Sequence, residues 1–191
     1  MQLQPSHDSQ CSTHQSVIRD FNTEFNPLLE KPLSINEKLT IFAELYAVMK
    51  KNMEKRDLLD RRYLRMARIW AENSYCRRRQ VGAIIVKDQM IISDGFNGTP
   101  AGFENICEDE TGVTKPYVLH AEANAITKVA RSNNSSDGST LYVTASPCLE
   151  CSKLIIQSGI KRVVFNELYR ITDGIDLLRR AGIECVHIPE L

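Results

Sequence analysis

The chain has no apolar run near the roughly 18 residues that a membrane-spanning helix needs. Its opening residues, Met1 to Ser16, lack both the basic start and the apolar centre of a secretory signal. Charge of one sign is also missing: 24 Lys and Arg balance 24 Asp and Glu. A chain without an overall basic field has little with which to hold a long nucleic-acid backbone, so a polymer substrate is disfavoured. Only Arg77-Arg78-Arg79 concentrates positive charge, enough for one phosphate. There is no internal repeat, which excludes a solenoid. The balance of 42% hydrophobic and 25% charged residues fits one soluble globular domain with an appendage. The location expected from these features is the cytoplasm, with no membrane partner. Thiols stay reduced there, so the six cysteines (Cys11, Cys76, Cys107, Cys148, Cys151 and Cys185) are expected to be metal ligands or buried thiols, not disulfides.

Residues 1 to 33 are rich in polar residues, are interrupted by Pro5, Pro27 and Pro32, and read as irregular. Ser34-Ile35-Asn36-Glu37 fits a capping box, so a helical extension is expected over 34–56. Within it Ile35, Leu39, Phe42, Tyr46, Met49 and Met53 recur at three- to four-residue steps, an apolar stripe of the kind that packs on its own domain or on a partner subunit. A second helical pattern covers about 57–74, with Leu59, Tyr63, Met66, Ala67 and Trp70 on one side. The charged stretch 50–57 is either a solvated helix face or a joint. A domain over 57–191 then alternates strand and helix. Strands are expected at 81–86, 90–93, 141–144, 162–165 and 183–188, and helices at 121–131, from Pro147 to about 159, and at 173–180. Lys87-Asp88-Gln89 is short and polar and suggests a hairpin, whereas the later β-α-β crossovers imply parallel strands. The outcome is an α/β fold, a mixed sheet covered by helices on both faces.

His120-Ala121-Glu122 and Pro147-Cys148-Leu149-Glu150-Cys151 carry the chemistry. One imidazole and two thiolates can hold Zn²⁺ with three protein ligands and leave a fourth position for water, as catalytic zinc sites do. Cys148 and Cys151 are three apart on one face at the start of a helix, whose N-terminal positive potential favours thiolate. His120 opens another helix, so two helix N-termini converge on one ion. Glu122 is placed to take a proton from water and pass it to a ring nitrogen and then to a departing amine. Read singly, a C-x-x-C also fits a redox pair or half of a structural zinc knot, and a structural zinc would need a fourth ligand such as Cys185 or His187. Arg78 and Arg170 are candidates for a phosphate, since a guanidinium fork suits one.

With these motifs the chain resembles the cytidine and deoxycytidylate deaminase superfamily, in which H-x-E and P-C-x-x-C mark zinc-dependent hydrolysis of an exocyclic amine. Within it the chain is most similar to the deoxycytidylate deaminases. The likeness is carried by Val81 to Val86, Gly95-Phe96-Asn97-Gly98-Thr99-Pro100, Tyr117 to Ile126, Leu141 to Thr144 with Pro147-Cys148 and Cys151, and Gln157 to Lys161, and covers about 57–190. It implies a three-layer α/β/α sandwich on a five-stranded mixed sheet. It also implies conversion of dCMP to dUMP and ammonia, in support of thymidylate synthesis. Asn97 would lie near the zinc, at the sugar of the substrate. Asn166-x-x-Tyr169-Arg170 is similar to a segment of some bacterial members and implies that Tyr169 packs on the base. An oligomer, often a hexamer, is implied as well, with activation by dCTP and inhibition by dTTP. Some members hold a second, structural zinc by two cysteines and two histidines. Cys76 and Cys107 stand where those cysteines would be, but 108–119 contains no histidine. One catalytic zinc is therefore expected, with Cys76 and Cys107 as small buried thiols. Deamination of another cytosine nucleoside or nucleotide, or of a tRNA adenosine, uses the same centre and is the alternative. A zinc-stabilised oligomeric scaffold is the non-enzymatic one.

Overall fold

The computed structural model describes residues 33–169 and 171–191. Contacts divide the chain into two units, with the boundary between Met53 and Glu54. Helix α1 spans Ile35–Ala71. Its start is the expected capping box: the Ser34 amide donates to Glu37 Oε2 at 2.7 Å, and the Glu37 amide donates to Ser34 Oγ at 3.3 Å. The stretch 50–57 is helix, not a joint. No proline or glycine interrupts 35–71, so nothing breaks the backbone ladder. The stripe from Ile35 to Met53 lies exposed, with Phe42 at 69% and Met53 at 69%.

In the unit from Glu54 onward, α1 buries Asp60, Leu64, Ala67 and Ala71. The expected face of Leu59, Tyr63, Met66, Ala67 and Trp70 is therefore rotated: Met66 and Trp70 are exposed, and Trp70 Nε1 donates to Asp94 Oδ2 at 2.6 Å. An aspartate overrides the apolar pattern. Arg162 Nη1 and Nη2 donate to the two Asp60 oxygens at 2.8 and 2.6 Å, and the Tyr142 hydroxyl donates to Oδ1 at 2.7 Å. The pair is almost fully buried. Burial and this hydrogen bond to a carboxylate push the Tyr142 hydroxyl well above the usual phenol range. Removing one partner of a buried pair strands the other charge, at a cost of about 3–5 kcal/mol. Asp60→Ala should accordingly lower the unfolding free energy measured by denaturant titration by that amount, and a loss below about 1 kcal/mol would show that Glu184, 3.2 Å from Arg162 Nε, suffices as partner.

Five strands follow: β1 Gly82–Lys87, β2 Met90–Phe96, β3 Thr140–Ala145, β4 Arg162–Glu167 and β5 Glu184–His187. Three helices alternate with them: α2 Ala121–Ala130, α3 Leu149–Gln157 and α4 Asp173–Arg180. The sheet order is β2-β1-β3-β4-β5. β1 pairs antiparallel with β2 and β3, while β3-β4 and β4-β5 are parallel, so the sheet is mixed. The two faces bury separate apolar sets. Ile85, Leu141, Val143, Val163 and Phe165 pack with residues of α2, α3 and α4, whereas Ile84, Val86, Tyr142 and Val164 pack with Leu64 and Ala67 of α1. This alternation along central strands gives the three layers, since each strand residue points to the opposite face from its neighbour.

Two glycines set how closely helices approach the site. A Cβ at Gly95 would lie 2.2 Å from the Ala121 carbonyl oxygen, and one at Gly174 would lie 2.2 Å from that of Pro147. Both positions thus need the missing side chain for α2 to seat on β2 and for α4 to seat beside the start of α3.

Candidate metal and active site

His120 and Cys148 are each the residue immediately before a helix, and both have extended backbones. Pro147 therefore precedes the cap of α3 and does not occupy its first turn; Leu149 is the first helical residue. The Cys148 sulfur accepts from the Cys151 amide at 3.5 Å, so this thiol caps its own helix. The His120 ring makes no cap bond and is free to turn toward the thiols. The segment carrying it is clamped, because the Gly98 amide donates to the Leu119 carbonyl at 3.0 Å and the Leu119 amide to the Gly98 carbonyl at 2.8 Å.

His120 Nδ1 lies 3.4 Å from Cys148 Sγ and 3.3 Å from Cys151 Sγ. All three donor atoms fall within 4.8 Å of one another. Tetrahedral zinc, with bonds of about 2.0 Å to nitrogen and 2.3 Å to sulfur, separates such donors by roughly 3.5 Å. The donor set therefore fits zinc in chemistry and in spacing. Hydrogen bonds from Cys151 and from His120 bring the Cys148 thiol down to about 3, and the contact with Cys148 together with burial pushes Cys151 up. The same contact with Cys148 raises the His120 imidazole. A divalent cation would replace these protons, which couples metal binding to proton release. Among the described residues no fourth protein ligand joins the three. Cys185 Sγ faces the Ile183 carbonyl, and His187 Nε2 is 3.0 Å from the Asn166 carbonyl while its ring stacks on Phe165. Among the described residues, Cys185 and His187 therefore do not join the three as a fourth ligand.

Glu122 lies in the first turn of α2 and is only 4% exposed. Burial raises its carboxyl above the ordinary range. It lines a cleft of about 740 Å³ together with His120 and Cys148. Arg78, Asn97 and Tyr169 line the same cleft, so three of the four expected substrate residues are brought to the metal ligands. Arg170 lies outside the described residues. The Asn97 carboxamide is partly committed: Oδ1 accepts from the Val81 amide at 2.7 Å and Nδ2 donates to the Arg79 carbonyl at 2.8 Å. The Tyr169 amide donates to Ser146 Oγ at 2.8 Å, which fixes its segment beside Cys148.

Sequence reasoning singled out Arg78 from the three-arginine run and gave Arg79 no role. Arg79 also lines the cleft, sits 5.6 Å from the Tyr169 ring centre and pairs with Glu167 at 2.6 Å. Arg78 has no carboxylate partner among the described residues; its Nη1 donates only to Thr114 Oγ1, at 3.3 Å. Glu108 was missed altogether. Its Oε1 accepts the Arg77 and Arg78 amides at 3.0 and 3.1 Å, and its buried Oε2 has no partner among the described residues. The sequence Glu108-Asp109-Glu110 by itself gives no signal that one member turns inward. Cys76 and Cys107 also differ from expectation. They are not separate thiols but are joined in a disulfide, with Cα atoms 5.1 Å apart, inside the usual bridging range. Compartment argued for reduced thiols, but the fold buries the two side chains against each other. A bonded pair offers no thiolate to a second metal.

Residues 57–167 match the family described as the cytidine and deoxycytidylate deaminase zinc-binding region. The chain is 35% identical over 170 positions to the deoxycytidylate deaminase of Enterobacteria phage T4, an alignment that covers 66% of this chain and 88% of that one. It is 40% identical over 113 positions to the human deoxycytidylate deaminase, covering 54% and 61% of the two chains. Among solved structures it is similar to a dCMP deaminase from the cyanophage S-TIM5 in complex with dCMP and dUMP. That likeness has a TM-score of 0.67 and 49% identity over 68% of this chain and 96% of that one.

Proposed function

Because the chain belongs to the cytidine and deoxycytidylate deaminase family, we propose that it hydrolyses dCMP to dUMP and ammonia with one zinc held by His120, Cys148 and Cys151. The observation that carries this reading is a buried carboxyl, Glu122, facing the same cleft as an open three-ligand donor set. Relatives named as deoxycytidylate deaminases, and a similar structure holding dCMP and dUMP, support the choice of substrate. Zinc in this donor set supplies the Lewis acidity that lets water ionise near neutral pH.

The residues of the chain do the rest. Glu122 takes a proton from the attacking water and delivers it to the pyrimidine ring nitrogen beside the amidine carbon. It then takes the second proton, from the hydroxyl now on that carbon, and gives it to the departing amine, so the carbonyl forms as the carbon–nitrogen bond breaks and ammonia leaves. A carboxyl raised by burial suits both halves of this transfer. Arg78 is proposed to bind the phosphate, because no carboxylate among the described residues neutralises it, whereas Arg79 is occupied by Glu167. Arg170 remains a second phosphate candidate. Tyr169, steadied by Arg79 and Ser146, is proposed to pack on the base. Asn97 keeps one donor hydrogen and one acceptor lone pair after its two backbone bonds, and these are proposed to meet the sugar. The deaminase domain is proposed to span 57–191. Assembly into an oligomer and control by dCTP and dTTP are further parts of the proposal, and solution mass measured with and without dCTP tests both.

A panel of dCMP, CMP, deoxycytidine and cytidine, followed by ultraviolet loss of the amine, tests the substrate. The expected result is fastest turnover of dCMP; nucleosides turned over better than dCMP would overturn it. Arg78→Ala should raise KM for dCMP about tenfold or more and leave deoxycytidine unchanged, since a charged hydrogen bond is worth roughly 1.5–3 kcal/mol. An equal effect on both substrates would remove the phosphate role.

A further inference from the structure

The stripe on the first part of α1 forms one band along the helix. Ile35, Leu39, Phe42, Tyr46, Met49 and Met53 follow one another by alternating steps of four and three residues. That is a heptad, with Ile35, Phe42 and Met49 at d and Leu39, Tyr46 and Met53 at a. The opposite position, f, is held by Glu37, Glu44 and Lys51, all charged. All six seam residues are exposed, from Leu39 at 61% to Ile35 at 77%. The repeat ends where the unit ends: the next d and a positions are Arg56 and Asp60, and Asp60 is buried in the unit that begins at Glu54.

We infer that Ile35–Met53 is a short coiled-coil element whose partner is the same helix of a second copy of this chain. A second copy carries the matching repeat by necessity, and a symmetric pair is the commonest form of self-association. Charge permits it. The segment holds Glu37 and Glu44 against Lys38, Lys50 and Lys51, and the positions flanking the seam (Asn36, Lys38, Ala43, Leu45, Lys50 and Asn52) carry no acidic residue and only two lysines. Each seam side chain removes on the order of 100 Å² from water when buried, so six per copy give roughly 1,200 Å² for the pair. That reaches the lower end of what stable interfaces bury.

Crosslinking in the full-length protein tests this, with the native cysteines present in every variant as background. Tyr46→Cys places a thiol in the seam and Glu44→Cys places one on the far side of the helix. With a bis-maleimide too short to reach across the outer faces of a helix pair, Tyr46→Cys should give covalent dimer at least several times above background and Glu44→Cys should not. Adding Phe42→Asp and Met49→Asp to Tyr46→Cys should abolish the dimer while deaminase activity stays within about twofold, which shows that the catalytic unit is intact. Equal crosslinking at both positions, or none at Tyr46→Cys, would overturn the proposal. Absence would mean that residues 1–32 or another partner covers the stripe; equal yields would mean that copies associate elsewhere.

Discussion

Glu122→Gln is expected to lower kcat by about 10³–10⁴-fold while the protein keeps one equivalent of zinc. Positioned general acid–base groups contribute roughly 10²–10⁴-fold, and in the proposed mechanism one carboxyl handles a proton both when water is activated and when the amine departs. The substitution preserves shape and removes only the ability to carry a proton. It also removes the cost of burying a charge, since Glu122 is 4% exposed and burial already disfavours its ionised form. The fold should therefore survive. Three readings are needed together: turnover of dCMP, zinc content by elemental analysis, and the thermal transition. A variant with near-normal turnover would end the proton-carrier role. Lost turnover with lost zinc would instead show that Glu122 supports the metal site.

Cys151→Ser should lose the metal itself. The Cys151 thiol is 3% exposed and lies 3.3 Å from His120 Nδ1, and a neutral hydroxyl is a poor substitute for a thiolate. Removing an outer partner of a metal ligand costs about 10–100-fold in affinity, and removing a ligand should exceed that. Zinc content should fall well below one equivalent and activity with it, whereas Cys185→Ser, in strand β5 and facing the Ile183 carbonyl, should retain both. Zinc loss in the Cys185 variant, or full zinc in the Cys151 variant, would refute the assigned donor set. The control matters because the chemistry of six cysteines cannot be told from their count.

Much of the candidate site was legible in the amino acids alone. The residues that start α2 and α3 are set locally: a ligand before each helix, an acid two residues into one helix and a second thiol three residues on in the other. Strand and helix order after Val81 followed from period, and the capping box at Ser34 was found where short-range hydrogen bonding put it. Elements defined by neighbours in sequence were readable because their physics is local.

What failed to read was decided by partners distant in sequence. Asp60 faces inward because Arg162 and Tyr142, roughly a hundred positions on, supply its hydrogen bonds, and that turned the buried face of α1 away from the purely apolar pattern. Cys76 and Cys107 form a bond because two loops bury them side by side, a fact that no reasoning from compartment could supply. Within the arginine run the sequence singled out Arg78, but only the fold showed that Arg79 pairs with Glu167 at the end of β4 while the Arg78 guanidinium meets Thr114. The sequence by itself placed His120, Cys148 and Cys151 as candidate donors and Glu122 as a candidate proton carrier at helix starts, since that placement depends on residue type and near spacing. The tertiary structure alone decided that His120 stands within 3.5 Å of both thiols, and which charges around the cleft remain available, because convergence and neutralisation need groups that only the folded chain brings together.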